Sequence, residues 1–177
     1  MDDGTDEDAI GRIRASVQDA VRALSATGAR HEALAEYEGA RRRLLIPREP
    51  VLRRVGAVWR LGVFLLDESG TLRATGTLVR ATPPGRAQYQ SQSAEDRRSL
   101  RAAAQRGRFH DGETVNFDAP LIPLDATALR DASGPLLLRD GRALVRWSAA
   151  ASDADARDFE GYLAERVDLL AHPPDGA

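Results

Sequence analysis

The chain has 177 residues, of which 42% are hydrophobic and 29% charged, and its 25 basic and 27 acidic residues give a formal net charge of −2 at pH 7. This composition is typical of one globular domain, with or without a small appendage, and argues against extended disorder. Every basic residue is arginine and there is no cysteine. Disulfides, thiolate zinc sites, a Walker lysine, a Schiff base and a cysteine nucleophile are therefore excluded.

The beginning of the sequence is acidic, with Asp2, Asp3, Asp6, Glu7 and Asp8 close together. A secretory signal peptide begins with basic residues, so this pattern argues against one. No apolar run approaches the roughly 18 residues that would span a bilayer. The sequence therefore predicts a cytoplasmic protein without a membrane partner, and its nearly balanced charge argues against a nucleic-acid partner.

The first 46 residues are predicted to be helical. Apolar residues recur at three- and four-residue steps from Ile10 to Leu24, which is the stripe of an amphipathic helix, and Gly28 is a C-terminal stop signal. A second helix is predicted over Leu34–Leu44, ending before Pro47. The pattern leaves open whether the two form an αα-hairpin or one helix through Gly28.

The next segment predicts a β-hairpin. Val55–Leu66 is rich in valine, leucine and aromatic residues, and Thr71–Ala81 alternates between apolar and polar positions. Asp67–Gly70 lies between them as the turn. The first strand is almost continuously apolar, which favours a central position in its sheet.

A second hairpin is predicted around Asp140-Gly141, because this dipeptide between apolar runs favours a two-residue turn. The remaining predicted elements are a helix over Ala94–Arg106, a strand over Thr114–Phe117 and a final helix over Asp153–Ala171 that starts at a Ser152 cap.

Together these elements predict an α+β fold. It consists of an N-terminal helical hairpin within residues 1–46 and an α+β body over residues 51–177. The body contains a small, mostly antiparallel sheet made from the two hairpins, with covering helices that include the C-terminal one.

Several stretches together resemble a family of short bacterial proteins that often carry the label "glutaminase". The resemblance covers most of the chain after Val55. The stretches that carry it are Val55–Gly62 (VGAVWRLG), Gly112–Val115 (GETV), Ser133–Leu136 (SGPL), Val145–Ala149 (VRWSA), Tyr162–Arg166 (YLAER) and His172–Pro174 (HPP).

The resemblance implies an amidohydrolase acting on glutamine. Serine-dependent glutaminases use a Ser-x-x-Lys pair, and cysteine-dependent amidotransferases use a thiolate. This chain has neither lysine nor cysteine. A glutaminase of this sequence would therefore need another kind of site, and no catalytic residue is carried over from either class.

The segment Phe109–Glu113 is the candidate for acid–base chemistry, because it places His110 close to Glu113. The alternative interpretation is a surface turn between a helix and a strand. Ser91 is a further candidate, since it lies in a polar loop just before a predicted helix N-terminus, where anions bind readily.

A local basic patch is the candidate surface for an anion or a partner. Arginine forks bind phosphates and carboxylates in bidentate fashion. The alternative is a solvated helix end, and the patch lacks interleaved aromatic residues for stacking on bases. Its members are Arg41, Arg42, Arg43, Arg53 and Arg54.

The sequence contains no assembled catalytic signature and predicts no cofactor and no metal. The leading hypothesis is an interaction or regulatory module that binds a protein partner or associates with itself through the N-terminal helices. The alternative is the glutaminase-type amidohydrolase implied by the resemblance.

Overall fold

The structure is a computed structural model that describes residues 3–43, 46–83, 92–148 and 150–174. Within these ranges the chain forms four α-helices, eleven β-strands and a one-turn 3-10 helix at Asp153–Asp155, which confirms the α+β class. The helices are α1 (Asp3–Thr27), α2 (Gln92–Arg106), α3 (Ala126–Arg130) and α4 (Phe159–Ala171). The strands are β1 (Glu32–Glu38), β2 (Arg41–Arg43), β3 (Ile46–Arg48), β4 (Val51–Leu61), β5 (Phe64–Leu66), β6 (Leu72–Ala74), β7 (Thr77–Arg80), β8 (Thr114–Phe117), β9 (Leu136–Arg139), β10 (Arg142–Val145) and β11 (Arg157–Asp158).

The chain divides into two compact units that are interleaved along the sequence. The first unit comprises Met1–His31, Trp59–Ala74 and Pro120–Ala177, and the second comprises Glu32–Val58 and Thr75–Ala119. One crossing between the units falls inside β4.

The first unit is built on α1, whose predicted apolar stripe is confirmed. Ile10, Ile13 and Leu24 are fully buried. The helix ends at Gly28, where φ is +63°, and the Ala29 N–H donates to the Leu24 carbonyl over 3.0 Å. This is a Schellman end, in which glycine supplies the left-handed residue that the motif requires.

The predicted second hairpin is confirmed in the same unit. β9 and β10 pair antiparallel, and both turn residues have positive φ, 50° at Asp140 and 69° at Gly141. Such angles define the type I′ turn that matches the twist of the strands. Helices α1 and α4 both contact β10, so this hairpin carries the two longest helices of the unit.

The end of β4 forms a three-stranded meander with β5 and β6. The turn at Asp67–Gly70 is confirmed, because the Asp67 carboxylate accepts from the N–H groups of Ser69 and Thr71, each at 2.9 Å. The single predicted strand Val55–Leu66 is wrong, since the chain reverses at Gly62, where φ is +66°.

The second unit is organised around β1, which pairs antiparallel with β4 and parallel with β8. The β7 strand adds to β8, so that the predicted strand Thr71–Ala81 is split between the two units. Helix α2 contacts β7 and packs Ala103 and Ala104 into the core. The predicted helix Ala94–Arg106 and strand Thr114–Phe117 are confirmed as α2 and β8.

The predicted second N-terminal helix is wrong. Its first half is β1, Arg41–Arg43 pairs with Ile46–Arg48, and Leu44 lies outside the described residues. Consecutive residues of β1 are buried (Ala33, Leu34 and Ala35), as in a strand covered on both faces. Pairing with β4 and β8 overrides the helix propensity of this glutamate- and alanine-rich segment.

The predicted start of the final helix is also wrong. Asp153 is held in the 3-10 turn by salt bridges from Arg139 at 3.0 Å and from Arg146 at 2.6 Å. Helix α4 begins at Phe159 and is capped by Asp158, which accepts from the Gly161 N–H at 3.0 Å. A carboxylate at this position satisfies one of the unpaired N–H groups of the first turn. None of the described helices combines the length and hydropathy that crossing a bilayer requires.

Candidate functional site

A groove of about 600 Å³ lies between α1 and α4 in the first unit and is here called the α1–α4 groove. It follows α1 from Ser16 to Thr27 and α4 from Glu160 to the C-cap His172. On each helix this is about three turns. Its apolar lining is Ala20, Ala23, Ala26, Leu163, Ala164, Val167 and Ala171.

The groove exists because most of the side chains on its walls are short. Leu163 is buried at its base, whereas Ala23, Ala26 and Ala164 are exposed. A leucine at any of these three alanines would reach into the gap. Alanine keeps the helices intact while leaving an apolar surface that no other described residue covers.

Polar groups lie along both edges of the groove rather than at one end. On α1 they include Asp19, and on α4 they include Asp168. Asp19 is paired with Arg22, and Asp168 Oδ1 lies 3.1 Å from His172 Nδ1. These side chains are more than two-thirds exposed, so the pairs are weak and open to competition.

A second cavity, of about 490 Å³, lies at the start of α1. Its edge holds Asp6, which is 9% exposed and accepts from Arg130 Nε over 2.5 Å. Through this contact the Asp6 carboxylate joins α1 to α3. Asp6 and Arg130 bind each other, so the charged groups at the edge of this cavity already form an ion pair within the chain.

The predicted acid–base segment forms a turn, as its alternative interpretation proposed. The Glu113 N–H donates to the His110 carbonyl at 3.0 Å, and Gly112 has a φ of 79°. The His110 ring is exposed, and it is the backbone N–H of His110 that donates to the Glu113 carboxylate, at 2.9 Å. Arg54 reaches both carboxylate oxygens at 2.7 Å and lies over the Phe109 ring, 4.6 Å from its centre.

Burial acts to raise the pKa of Glu113, but hydrogen bonds from Arg54 and from the His110 backbone, together with the charge of Arg54, outweigh it and hold the pKa below its usual value. A carboxylate that is ionised and doubly bound is a poor proton acceptor. Arg54, Glu113 and the His110 N–H together hold the turn before β8 in place, and this set of contacts is here called the clamp.

The Glu113→Gln change tests this clamp. The clamp stabilises the fold above the ordinary glutamate pKa of about 4.3, and its contribution is lost as the pH falls toward the lower folded value. We therefore expect the variant to be less stable at neutral pH by about 0.5–1 kcal/mol, with the gap narrowing as the pH falls below the ordinary glutamate pKa. Thermal unfolding followed by circular dichroism over a series of pH values from neutral to acid measures the gap, and Arg54→Gln should show the same narrowing. A gap that is independent of pH would contradict the clamp.

The remaining predicted site residues are Ser91 and the basic patch. Ser91 lies outside the described residues. Arg41–Arg43 forms β2, for which the structure describes the backbone. Arg53 is paired with Glu36 and with Glu38 on β1, and hydrogen bonding by Glu38 raises the pKa of Arg53. The guanidinium groups of Arg53 and Arg54 are thus already bound to carboxylates.

Among the described residues no cluster of three or more His, Asp or Glu side chains could hold a metal. In the same ranges, no histidine ring is hydrogen-bonded to a serine or threonine hydroxyl. The ring of His31 stacks on Trp59 at 4.5 Å, and that of His172 faces Asp168.

No family model matches the chain, and neither a curated protein nor a solved structure is significantly similar to it. Function must therefore be argued from the site itself. Sequence reasoning found the α1 stripe but missed the groove, since its two walls are more than 130 positions apart in the chain. The only local signal was the row of alanines, which is equally typical of any helix.

Proposed function

We propose that the protein is a non-enzymatic interaction module of the cytoplasm that binds a helix of a protein partner in the α1–α4 groove. The observation that carries the proposal is the groove itself, an apolar channel of about 600 Å³ along two helices. Helix-in-groove recognition uses such a surface, with apolar anchors of the incoming helix spaced at i, i+3/i+4 and i+7.

The shape and polarity of the groove favour a helix over a small ligand or an acyl chain. A lipid chain carries its polar group at one end. Here polar side chains follow both edges, from Ser16 and Asp19 to Thr27 on α1 and from Glu160 to Asp168 on α4. An amphipathic helix presents an apolar face with polar flanks along its whole length, which matches this distribution.

The exposed alanines favour close approach of a backbone. Ala23 and Ala164 project no more than a methyl group into the groove, so the axis of a third helix can come near those of α1 and α4. Helices pack at 8–10 Å between axes, and the shorter distances need small side chains at the contact.

The amidohydrolase alternative draws no support from the described residues. Its candidate base, Glu113, is held by Arg54, and the ring of His110 lies exposed beside the turn. We expect the purified chain to release no ammonia from glutamine across a broad range of pH. Ammonia release above that of a boiled sample would restore the alternative.

Filling the groove tests the proposal. We expect Ala23→Phe or Ala164→Phe to weaken binding of a helical peptide by about tenfold or more, because the new ring occupies the place of an anchor. The probe is a fluorescein-labelled peptide of about 15 residues, with leucines at i, i+3/i+4 and i+7 and glutamines elsewhere. Fluorescence anisotropy measures its affinity for the full chain.

Ala15→Phe is the matched control, since Ala15 is exposed on α1 and does not line the groove. It should bind the peptide as the wild type does. Equal affinity for all variants would refute the groove as the site. Two further measurements detect other occupants of the groove. Displacement of the peptide by dodecanoate would indicate that the groove binds an acyl chain, and a dimer in light scattering would indicate that it binds a second copy of the chain.

A further inference from the structure

We propose that the helix received by the α1–α4 groove is basic along its flanks, an inference that rests on the proposed function. The groove is bordered by the carboxylates of Asp19, Glu160 and Asp168, and among the described residues that line it His172 is the only one with a basic side chain. The chain contains 25 arginines, yet none of those whose side chains the structure describes lines this groove. The edges are therefore acidic in a protein whose overall charge is nearly balanced.

The α4 wall reinforces this asymmetry, because that helix holds three acidic residues and one arginine. On α1 the segment along the groove, from Ser16 to Thr27, holds Asp19 and Arg22, and the other acidic residues of this helix lie before the groove begins. The net negative charge of α4 attracts a cationic segment and slows the approach of an anionic one.

The carboxylates at the edges already have partners within the chain, but these are exposed pairs. Arg12 Nε lies 3.4 Å from Glu160, with both side chains about half exposed, and Arg12 also donates to the Gly141 carbonyl at 3.1 Å. Exposed ion pairs contribute at most about 1 kcal/mol, or roughly a fivefold change in an equilibrium constant. Arginines of a partner helix can therefore share or replace these contacts, and a guanidinium can bind both oxygens of a carboxylate at once.

The placement of the acidic groups also defines which positions of the partner carry charge. Asp19 borders the groove on α1, and Glu160 and Asp168 border it on α4, two turns apart. A partner helix with leucines facing the groove would present its flanking positions to both edges. Arginines at those flanks, on either side of the leucine stripe, complete the match.

Three peptides of about 15 residues test the inference, with an identical leucine stripe and with arginine, glutamine or glutamate at the flanks. In about 0.05 M salt we expect the arginine peptide to bind about tenfold more tightly than the glutamine peptide, and the glutamate peptide to bind most weakly. The preference should shrink in about 0.5 M salt, where charges are screened beyond a few ångströms.

The double variant Asp19→Asn/Asp168→Asn should reduce the ratio of the affinities for the arginine and glutamine peptides, leaving the part of the preference that Glu160 supplies. The matched control Glu7→Gln/Asp8→Asn removes the same charge from exposed positions of α1 outside the groove, and should retain the preference. Equal binding of the arginine and glutamine peptides to the wild type would overturn the basic partner but leave the groove proposal standing. Failure of all three peptides to bind would overturn both proposals, and a preference of unchanged size in Asp19→Asn/Asp168→Asn would overturn the acidic edges as its cause.

Discussion

Replacing Phe159 with alanine is expected to destabilise the first unit by about 3–5 kcal/mol. Phe159 is the first residue of α4 and is fully buried. Its ring meets the edge of Phe64 with centroids 5.8 Å apart and planes at 74°. The substitution removes an aromatic pair and leaves a cavity between α4 and the strand that carries Phe64.

Tryptophan fluorescence during guanidinium unfolding measures this cost, because both tryptophans belong to the first unit. Trp59 is fully buried there, whereas Trp147 is 50% exposed and reports less. Leu169→Ala is the matched control, since Leu169 lies on the same helix but is 48% exposed. We expect the control to change stability by no more than about 0.5 kcal/mol. A similarly small effect for Phe159→Ala would show that α4 is not anchored through this ring.

The stability of α4 matters for the proposed function because α4 forms one wall of the groove. Leu163 is buried with Phe159, and Val167 is partly buried, on the side of α4 that faces the core. The exposed residues of the groove lie next to this stripe. Weaker peptide binding by Phe159→Ala could therefore result from unfolding of α4 and not from a change in the groove itself. The alanine-to-phenylalanine variants change the surface of the groove alone.

Some elements could be predicted from the sequence because the information is local. Asp140-Gly141 favours its turn without help from the rest of the chain, since both residues tolerate positive φ. The stripe of α1 could be read in the same way, and Gly28 marked its end. In each case a short window of sequence contains the physical cause of the structure.

The β1 strand could not be predicted because its cause lies elsewhere in the chain. Glu32 pairs with Val58, and Ala33 pairs with both Ala57 and Val115. Alanine and glutamate are good helix formers, so local propensity gave the wrong answer, and tertiary pairing decided the outcome. The ion pair of the clamp could not be predicted for the same reason, because Arg54 lies on β4, 59 positions before Glu113.

The α1–α4 groove shows the same limit for function. Its residues are alanines and ordinary carboxylates, none of which has a distinctive sequence pattern. The motif that drew attention instead, around His110, forms a turn whose side chains fix the backbone. A binding surface can therefore form from residues that have no distinctive sequence pattern. It depends on the space that remains between two helices that are distant in the sequence.

The turn at Gly62 yields the second large prediction, a loss of about 2–3 kcal/mol for Gly62→Ala. The backbone there has a φ of +66°, which costs a residue with a Cβ about 1 kcal/mol or more. The added Cβ would also lie 2.0 Å from the Tyr162 hydroxyl oxygen. That oxygen accepts from the Val63 N–H over 3.2 Å, so moving it sacrifices a hydrogen bond of about 1 kcal/mol.

A double-mutant cycle with Tyr162→Phe separates the two causes. Tyr162→Phe alone removes the hydrogen bond and should cost about 1 kcal/mol. In that background the hydroxyl oxygen is gone and the nearest atom to the added Cβ is the ring Cζ at 3.0 Å, so Gly62→Ala should cost less than it does in the wild type. The double variant should therefore lose less stability than the sum of the two single losses. The free energies of unfolding come from the same fluorescence measurement. Strict additivity would show that the cost at Gly62 is entirely a matter of backbone conformation, and that Tyr162 of α4 does not press against the turn.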